Sequence, residues 1–299
     1  VKTVVCFGPI ISGLILAVEK YPAADGGAFI QRKETYVGAD SPMVAQTLAR
    51  WGLPAHLICN ALGDDAAGRS AIRQLSEAGV SSTLRLIGDY STPIEVDVCD
   101  LAGTRTWFVD GNQTIWDTIC AADRGAIAQA GLVYLDWYVR PCAADVAALV
   151  AEHAVPLYLN VEYSLAAPHT NAELIRRAAI CQSFVEESAS ASDALAVARA
   201  LAGHGVKRAI VTRGRHGCVG VEDGKEFVIP APQVQVAAAL GAGAAFSAGM
   251  IYAILQGRSF EQALRFAVGS GSYKCQFLAP PYAPPDEIET FMRNAEQKD

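Results

Sequence analysis

Residues Gly241-Ala242-Gly243-Ala244-Ala245-Phe246 run directly into Ser247-Ala248-Gly249 and an apolar stretch of Met250, Ile251, Tyr252, Ile254 and Leu255. The pattern predicts a glycine turn that opens a buried helix. Glycine lets backbone approach a ligand closely, and the first N–H groups of a helix have no partner within it, so the turn is a candidate anion hole. Its expected donors are the N–H groups of Gly241, Ala242, Gly243 and Ala244, with phosphate as the expected guest. The same residues have a purely steric reading, because small residues also let a helix pack tightly on a sheet.

The rest of the chain supplies that sheet. Short apolar runs at Leu132–Leu135, Leu157–Val161, Ile180–Phe184 and Ala209–Thr212 alternate with helical patterns at Ala143–His153, Ala172–Ala179 and Ser192–Gly203. Alternation of this kind predicts a parallel sheet covered by helices on both faces. Ligands of such sheets bind beyond the carboxyl ends of the strands, where Asp136, Asn160, Glu162, Glu186 and Arg213 fall. The first third is mixed. A strand over Val1–Phe7 precedes extended runs at Leu14–Val18 and Ala28–Tyr36, and Thr92–Cys99 and Thr104–Val109 read as a hairpin around Asp100–Gly103. Between them, Ser41 and Pro42 read as N-cap and first residue of a helix carrying Val44, Leu48 and Trp51 at helical spacing. Asp64 and Asp65 follow Gly63 and precede a second helix, and are expected to cap it. Gly217–Val221 and Phe227–Ile229 flank a tight turn, Phe260–Phe277 and Asp286–Ala295 read as helices, and Pro280-Pro281 to Pro284-Pro285 form a stiff connector.

Composition removes several classes of function. No charge run or low-complexity linker divides the 299 residues, so one α/β domain is expected. Hydrophobic residues make up 52% of the chain, enough for a large core, but no apolar run is long enough to cross a bilayer. With 24 basic against 31 acidic residues and no basic cluster, nucleic acid is not an expected partner. Eight cysteines lack metal-ligand spacing, the five histidines share no common pattern, and no secretory leader is read at the start. Reduced thiols in a cytoplasmic protein are expected.

The order of five motifs carries a resemblance. These are Gly8 with the Tyr21-Pro22 turn; Gly38 followed by Ala45-Gln46-Thr47-Leu48-Ala49-Arg50-Trp51-Gly52; Gly63-Asp64-Asp65-Ala66-Ala67-Gly68; Val211-Thr212-Arg213-Gly214; and Gly241-Ala242-Gly243-x-Ala245-Phe246. In this order the chain resembles the ribokinase-like (PfkB) family of carbohydrate and nucleoside kinases over nearly its whole length. The resemblance implies a three-layer α/β/α sandwich with a mainly parallel sheet, and a small β lid built from about residues 14–36 and 92–109. In many relatives that lid also forms a homodimer contact. ATP and Mg2+ are the implied cofactors, and a sugar or nucleoside is the implied small polar partner.

The departures from the family pattern fall on residues that do chemistry. Ala244 stands where the family has the Asp that takes the proton from the attacking hydroxyl, and alanine cannot do so. Ala238-Ala239-Leu240 replaces the polar residues expected upstream, and Gly13 stands where relatives carry a sugar-binding Asp. Gly38-Ala39-Asp40 replaces Gly-Gly-Asn. The family's Asn-x-x-Glu aligns to Val185-Glu186-Glu187-Ser188, or with a one-residue slip to Ser183 and Glu186. Gly13, Gly38, Ala39, Asp40, Asp136 and Asn160 are therefore the substrate-side candidates. Glu186, Glu187, Arg213 and Gly214 are the nucleotide and Mg2+ candidates. Three functions stay open at this point: a non-catalytic binder of nucleotide or small ligand, a divergent kinase using Asp40, Glu186 or Asp136 as base, and an assembly protein using the lid surface.

Overall fold

The structure is a computed structural model, and it describes residues 2–136, 142–162, 172–280 and 283–297; Pro281 of the predicted connector lies outside them. The chain opens with β1 (Val4–Phe7), passes through β2 (Ile11–Val18) and β3 (Ile30–Gly38), and returns by α1 (Asp40–Arg50) to β4 (Ala55–Ile58). Then come β5 (Leu62–Gly63), α2 (Ala66–Glu77), β6 (Ser81–Ser82), β7 (Leu86–Ile87), β8 (Ile94–Cys99), β9 (Arg105–Val109) and α3 (Gln113–Cys120), a helix that the sequence reading omits. Strands and helices alternate from there: β10 (Leu132–Asp136), α4 (Ala143–Glu152), β11 (Leu157–Asn160), α5 (Ala172–Arg177), β12 (Ile180–Phe184), α6 (Ala191–Gly203) and β13 (Arg208–Thr212). The hairpin β14 (Cys218–Glu222) and β15 (Lys225–Ile229) leads to α7 (Ala242–Leu255), α8 (Phe260–Lys274) and α9 (Pro285–Glu296).

The main sheet has nine strands in the order β15-β14-β13-β12-β11-β10-β1-β4-β6, parallel except for the β14–β15 hairpin at one edge. Its period of two explains why the strands read as unbroken apolar runs. Cys6, Tyr134, Tyr158, Ile180 and Ile210 point into a layer with Val44 and Leu48 of α1, Met250 and Ile251 of α7 and Leu264 of α8. Their neighbours Val5, Val133, Leu159, Cys181 and Val211 point the other way, against Val146 and Val150 of α4, Leu174 of α5 and Ala198 and Leu201 of α6. A strand buried on both faces has no polar face to show.

The small sheet runs β3-β2-β8-β9, with β2 parallel to β8 and the outer pairs antiparallel. β2 begins three residues earlier than the sequence suggests, at Ile11, and β3 ends two residues later, at Gly38, because these two residues pair with each other, whereas β3, β8 and β9 begin one or two residues later than expected. Asp65 ties this sheet to the main body. It is the N-cap of α2, accepting from Gly68 N at 2.8 Å, and also accepts from Thr92 N and Thr92 Oγ1, each at 2.8 Å, just before β8. Asp65→Ala removes the cap and strands the Thr92 groups, so a loss of about 2 kcal/mol is expected in denaturant unfolding.

The start of α1 differs from the sequence expectation. Asp40 is its first residue and the N-cap is Ala39, with no side-chain cap, while Ser41 is fully buried inside the first turn. Ala39 holds φ 74°, ψ 160°, a region open almost only to glycine. Ala39→Gly is expected to stabilise the protein by about 1 kcal/mol, the relieved strain exceeding the added freedom of the unfolded chain, which a rise in melting temperature checks.

Candidate functional site

The N-terminus of α7 carries the glycine turn. Gly241 is the N-cap in the left-handed conformation, φ 73°, which an L side chain rarely adopts. Ala245 N donates to Gly241 O at 2.9 Å and closes the first helical turn. One expected donor is corrected: Ala242 N already donates to Ala239 O at 3.1 Å, because the left-handed turn folds back on its own approach. Among the described residues, the N–H groups of Gly241, Gly243 and Ala244 have no acceptor. Gly243 is exposed, whereas the Ala244 side chain is buried at 1% exposure.

Around the carboxyl ends of β1, β10 and β11 a second cluster assembles. A Cβ placed on Gly8 would lie 2.2 Å from Ser41 Oγ and 2.8 Å from Asp136 Cβ, so α1 approaches the sheet closely here. Asp136 and Asn160 are both buried and stand side by side in the β10–β11 register. Asn160 Nδ2 donates to Asp40 Oδ2 at 3.2 Å, Tyr134 OH at 3.3 Å and Glu162 Oε1 at 2.9 Å. The predicted residues Asp40, Asp136 and Asn160 are thus brought together, with Glu162 added to them.

The small sheet adds four residues that the sequence reading did not single out as functional. Glu95 and Asp97 alternate along β8 on the face shared with Gly13, Arg105 of β9 lies 3.4 Å from Asp97 Oδ1, and Tyr36 OH donates to Asp97 Oδ2. The signal available was two carboxylates two residues apart in a strand of β-formers. Burial raises the Asp40 carboxyl above its usual range, opposed by Arg105 and by the hydrogen bond from Asn160. Burial and the charge of Asp40 push Glu162 up to about 7, and burial and Asp97 push Glu95 up to about 7.

These carboxyls fix a pH dependence. Their folded pKa lies above the unfolded value of about 4.3, so the stability they contribute is complete below that value and is lost as pH rises through about 7. Melting temperature is expected to fall between pH 5 and 8, and Glu162→Gln to flatten that fall; an unchanged slope in the variant counts against it.

Gly13 is not an empty seat for a sugar-binding side chain. It pairs with Tyr36 across β2 and β3, and a Cβ placed on it would lie 2.2 Å from Tyr36 Cζ. The ring fills the space that a residue 13 side chain needs. Gly38 is similarly closed, its added Cβ 2.7 Å from Ile11 Cγ1.

The nucleotide-side candidates gather at the ends of β12 and β13. Glu187 is held by Arg215, whose Nη2 donates to Oε2 at 3.0 Å, and its Oε1 lies 3.3 Å from where a Gly214 Cβ would be. Arg213 Nη2 donates to Ala189 O at 3.2 Å. Glu186 precedes them two residues past the end of β12, and Ser183 Oγ donates to Glu162 O at 2.7 Å, so Ser183 is tied to the end of β11. Between the clusters, Ser247 Oγ of α7 donates to Gln182 Oε1 at 3.0 Å, and Tyr158 OH donates to the same oxygen. Among the described residues no group of three or more His, Cys, Asp or Glu side chains forms a metal cage. None of the eight cysteines forms a disulfide.

Comparison with known proteins bears on the family and the fold. The profile of the pfkB family carbohydrate kinases matches residues 1–278. A curated relative, the uncharacterized sugar kinase YeiI of Escherichia coli (strain K12), is 25% identical over 240 residues, 75% of this chain. The aligned part is 65% of that relative's own length. A ribokinase-like protein of Agrobacterium tumefaciens superposes with a TM-score of 0.86 at 21% identity, covering 100% of this chain and 99% of the other. Arabidopsis thaliana ribokinase, solved with ribose and ATP, gives a TM-score of 0.75 at 21% identity, over 98% and 99% of the two chains. The structural likenesses establish the ribokinase-like fold. With the profile spanning most of its length, the chain belongs to the pfkB family of carbohydrate kinases.

Proposed function

We propose that this protein binds a nucleotide and a small sugar or nucleoside in the manner of its family but has lost efficient phosphoryl transfer. The observation that carries the reading is the contrast at the start of α7, where free N–H groups remain while Ala244 replaces the base. The nucleotide phosphates fit the turn, since the donors at Gly241, Gly243 and Ala244 are backbone groups independent of the lost side chain. Mg2+ usually takes one or two carboxylates plus phosphate oxygens and water, so the absence of a protein cage among the described residues does not conflict with it, and Glu186, just past β12, is the carboxylate this reading assigns to it. Bound there, the ion would take up charge on the phosphates. Asp40, Asp136 and Asn160 line the place for a hydroxyl-bearing ligand, under a lid formed by the small sheet. One chain of 299 residues acting as a single domain is part of this reading, as is a pairing of two copies through the outer face of the lid.

A second reading has an observation of its own: Asp40 sits in the substrate cluster with a raised pKa and could accept a proton. The test is ADP release with ribose, fructose, 2-keto-3-deoxygluconate and adenosine as acceptors. No turnover above background is expected. Turnover abolished by Asp40→Asn would establish the second reading instead.

A further inference from the structure

Lys274, the last residue of α8, is 2% exposed and, among the described residues, has no carboxylate bound to it. Its ammonium Nζ donates to three backbone carbonyls: Ala238 O at 2.9 Å, Phe277 O at 3.1 Å and Leu278 O at 3.3 Å. Burying an ammonium without a counter-ion is costly, and a lysine that only capped the end of a helix could do so from the surface. The position shows what the burial serves. Ala238 leads into the glycine turn, and the N–H groups of Ala237 and Ala238 both donate to Cys275 O, at 2.8 and 3.3 Å. A Cβ placed on Gly241 would lie 3.9 Å from Lys274 Cε, so the lysine stem passes directly behind the turn.

We propose that Lys274 is the positioning residue of the anion hole: its ammonium pins the approach to Gly241 onto the end of α8 and sets a fixed positive charge behind the N–H groups that receive phosphate. The proposal rests on the phosphate-binding reading above. It explains how the turn keeps its shape after the polar residues that the family carries upstream have become Ala238 and Ala239.

The charge can be removed by titration as well as by mutation. Burial lowers the Lys274 pKa to about 8. The groups that face it are Cys275 on its own helix end, Cys99 and Asp97 on β8, and Arg105 on β9. Burial raises both thiols, so around pH 8 it is Lys274, and not Cys99 or Cys275, that changes charge. Because the folded pKa lies below the unfolded value of about 10.4, this group's contribution to stability rises with pH across that window. Weaker anion binding there does not come from this group loosening the fold.

The test is calorimetric titration of the full chain with ATP and Mg2+ at pH 7.5 and 9.5, alongside melting temperatures. Wild-type affinity is expected to fall about tenfold between the two, equal to one unit of pKa coupling. Folded Lys274→Met is expected to bind about tenfold more weakly at pH 7.5 and to lose the pH dependence, while Lys274→Arg keeps a charge and a flat profile. A flat wild-type profile, or a folded Lys274→Met within twofold of wild type, overturns the proposal while leaving the phosphate reading standing. No binding by the wild type at either pH overturns both. If Lys274→Met does not fold, the wild-type profile and Lys274→Arg decide.

Discussion

Gly13→Asp is expected to lower stability by about 3 kcal/mol, a drop in melting temperature of roughly 6–10 °C for a chain of this size. The new Cβ would overlap the ring of Tyr36, which it would meet at 2.2 Å, and the carboxylate would enter a face that already holds Glu95 and Asp97. Overlap and like charge act in the same direction. Tyr36 is anchored by its hydroxyl on Asp97, so the ring cannot simply swing away. The double variant Gly13→Asp/Tyr36→Ala should cost less than the sum of the two single changes, because each relieves what the other strains. Additive losses in urea unfolding would show that the ring and residue 13 do not compete.

Replacing the base alone is expected to leave the protein inactive. Ala244→Asp puts a carboxylate in the first turn of α7, where the dipole and free N–H groups favour its ionised form, so the variant should fold despite the buried position. A base accelerates transfer only when the acceptor hydroxyl is held in line. With Gly13 sealed by Tyr36, that alignment is expected to be missing in the proposed reading. In a background carrying Gly13→Asp, Tyr36→Ala and Ala39→Gly, adding Ala244→Asp should raise phosphorylation of a family substrate by about 10²–10⁴-fold, the usual worth of a general base. Robust turnover from Ala244→Asp by itself would mean that the acceptor site is intact as it stands.

The sheet, its flanking helices and the glycine turn were legible because each rests on local chemistry: period-two and helical spacing, glycine at a turn, a capping aspartate at Asp65. The alternation after residue 130 predicts that β10 to β13 run parallel, but not the order in which the nine strands lie. What was hidden depends on register and distance along the chain. That Tyr36 covers Gly13 follows only from pairing β2 with β3, and that Arg105 comes within electrostatic reach of Asp40 and Glu162, and Glu95 of Asp40, follows only from how the small sheet folds over the body. The loss of Ala242 as a donor is a matter of one backbone angle at Gly241. Lys274 gave no signal, since a lysine at the end of an amphipathic helix reads as a solvated charge, and its burial is set by the carbonyls of a segment that follows the helix.

The central claim is that the phosphate site has outlived the chemistry, and one measurement addresses it directly: isothermal titration of the wild-type protein with ATP, with and without Mg2+, followed by assay of the same samples for ADP in the presence of ribose and adenosine. Saturable binding, tighter with Mg2+, and no ADP above the rate of spontaneous hydrolysis is the predicted result. Absence of binding, or ADP formed in step with acceptor phosphorylation, would contradict it.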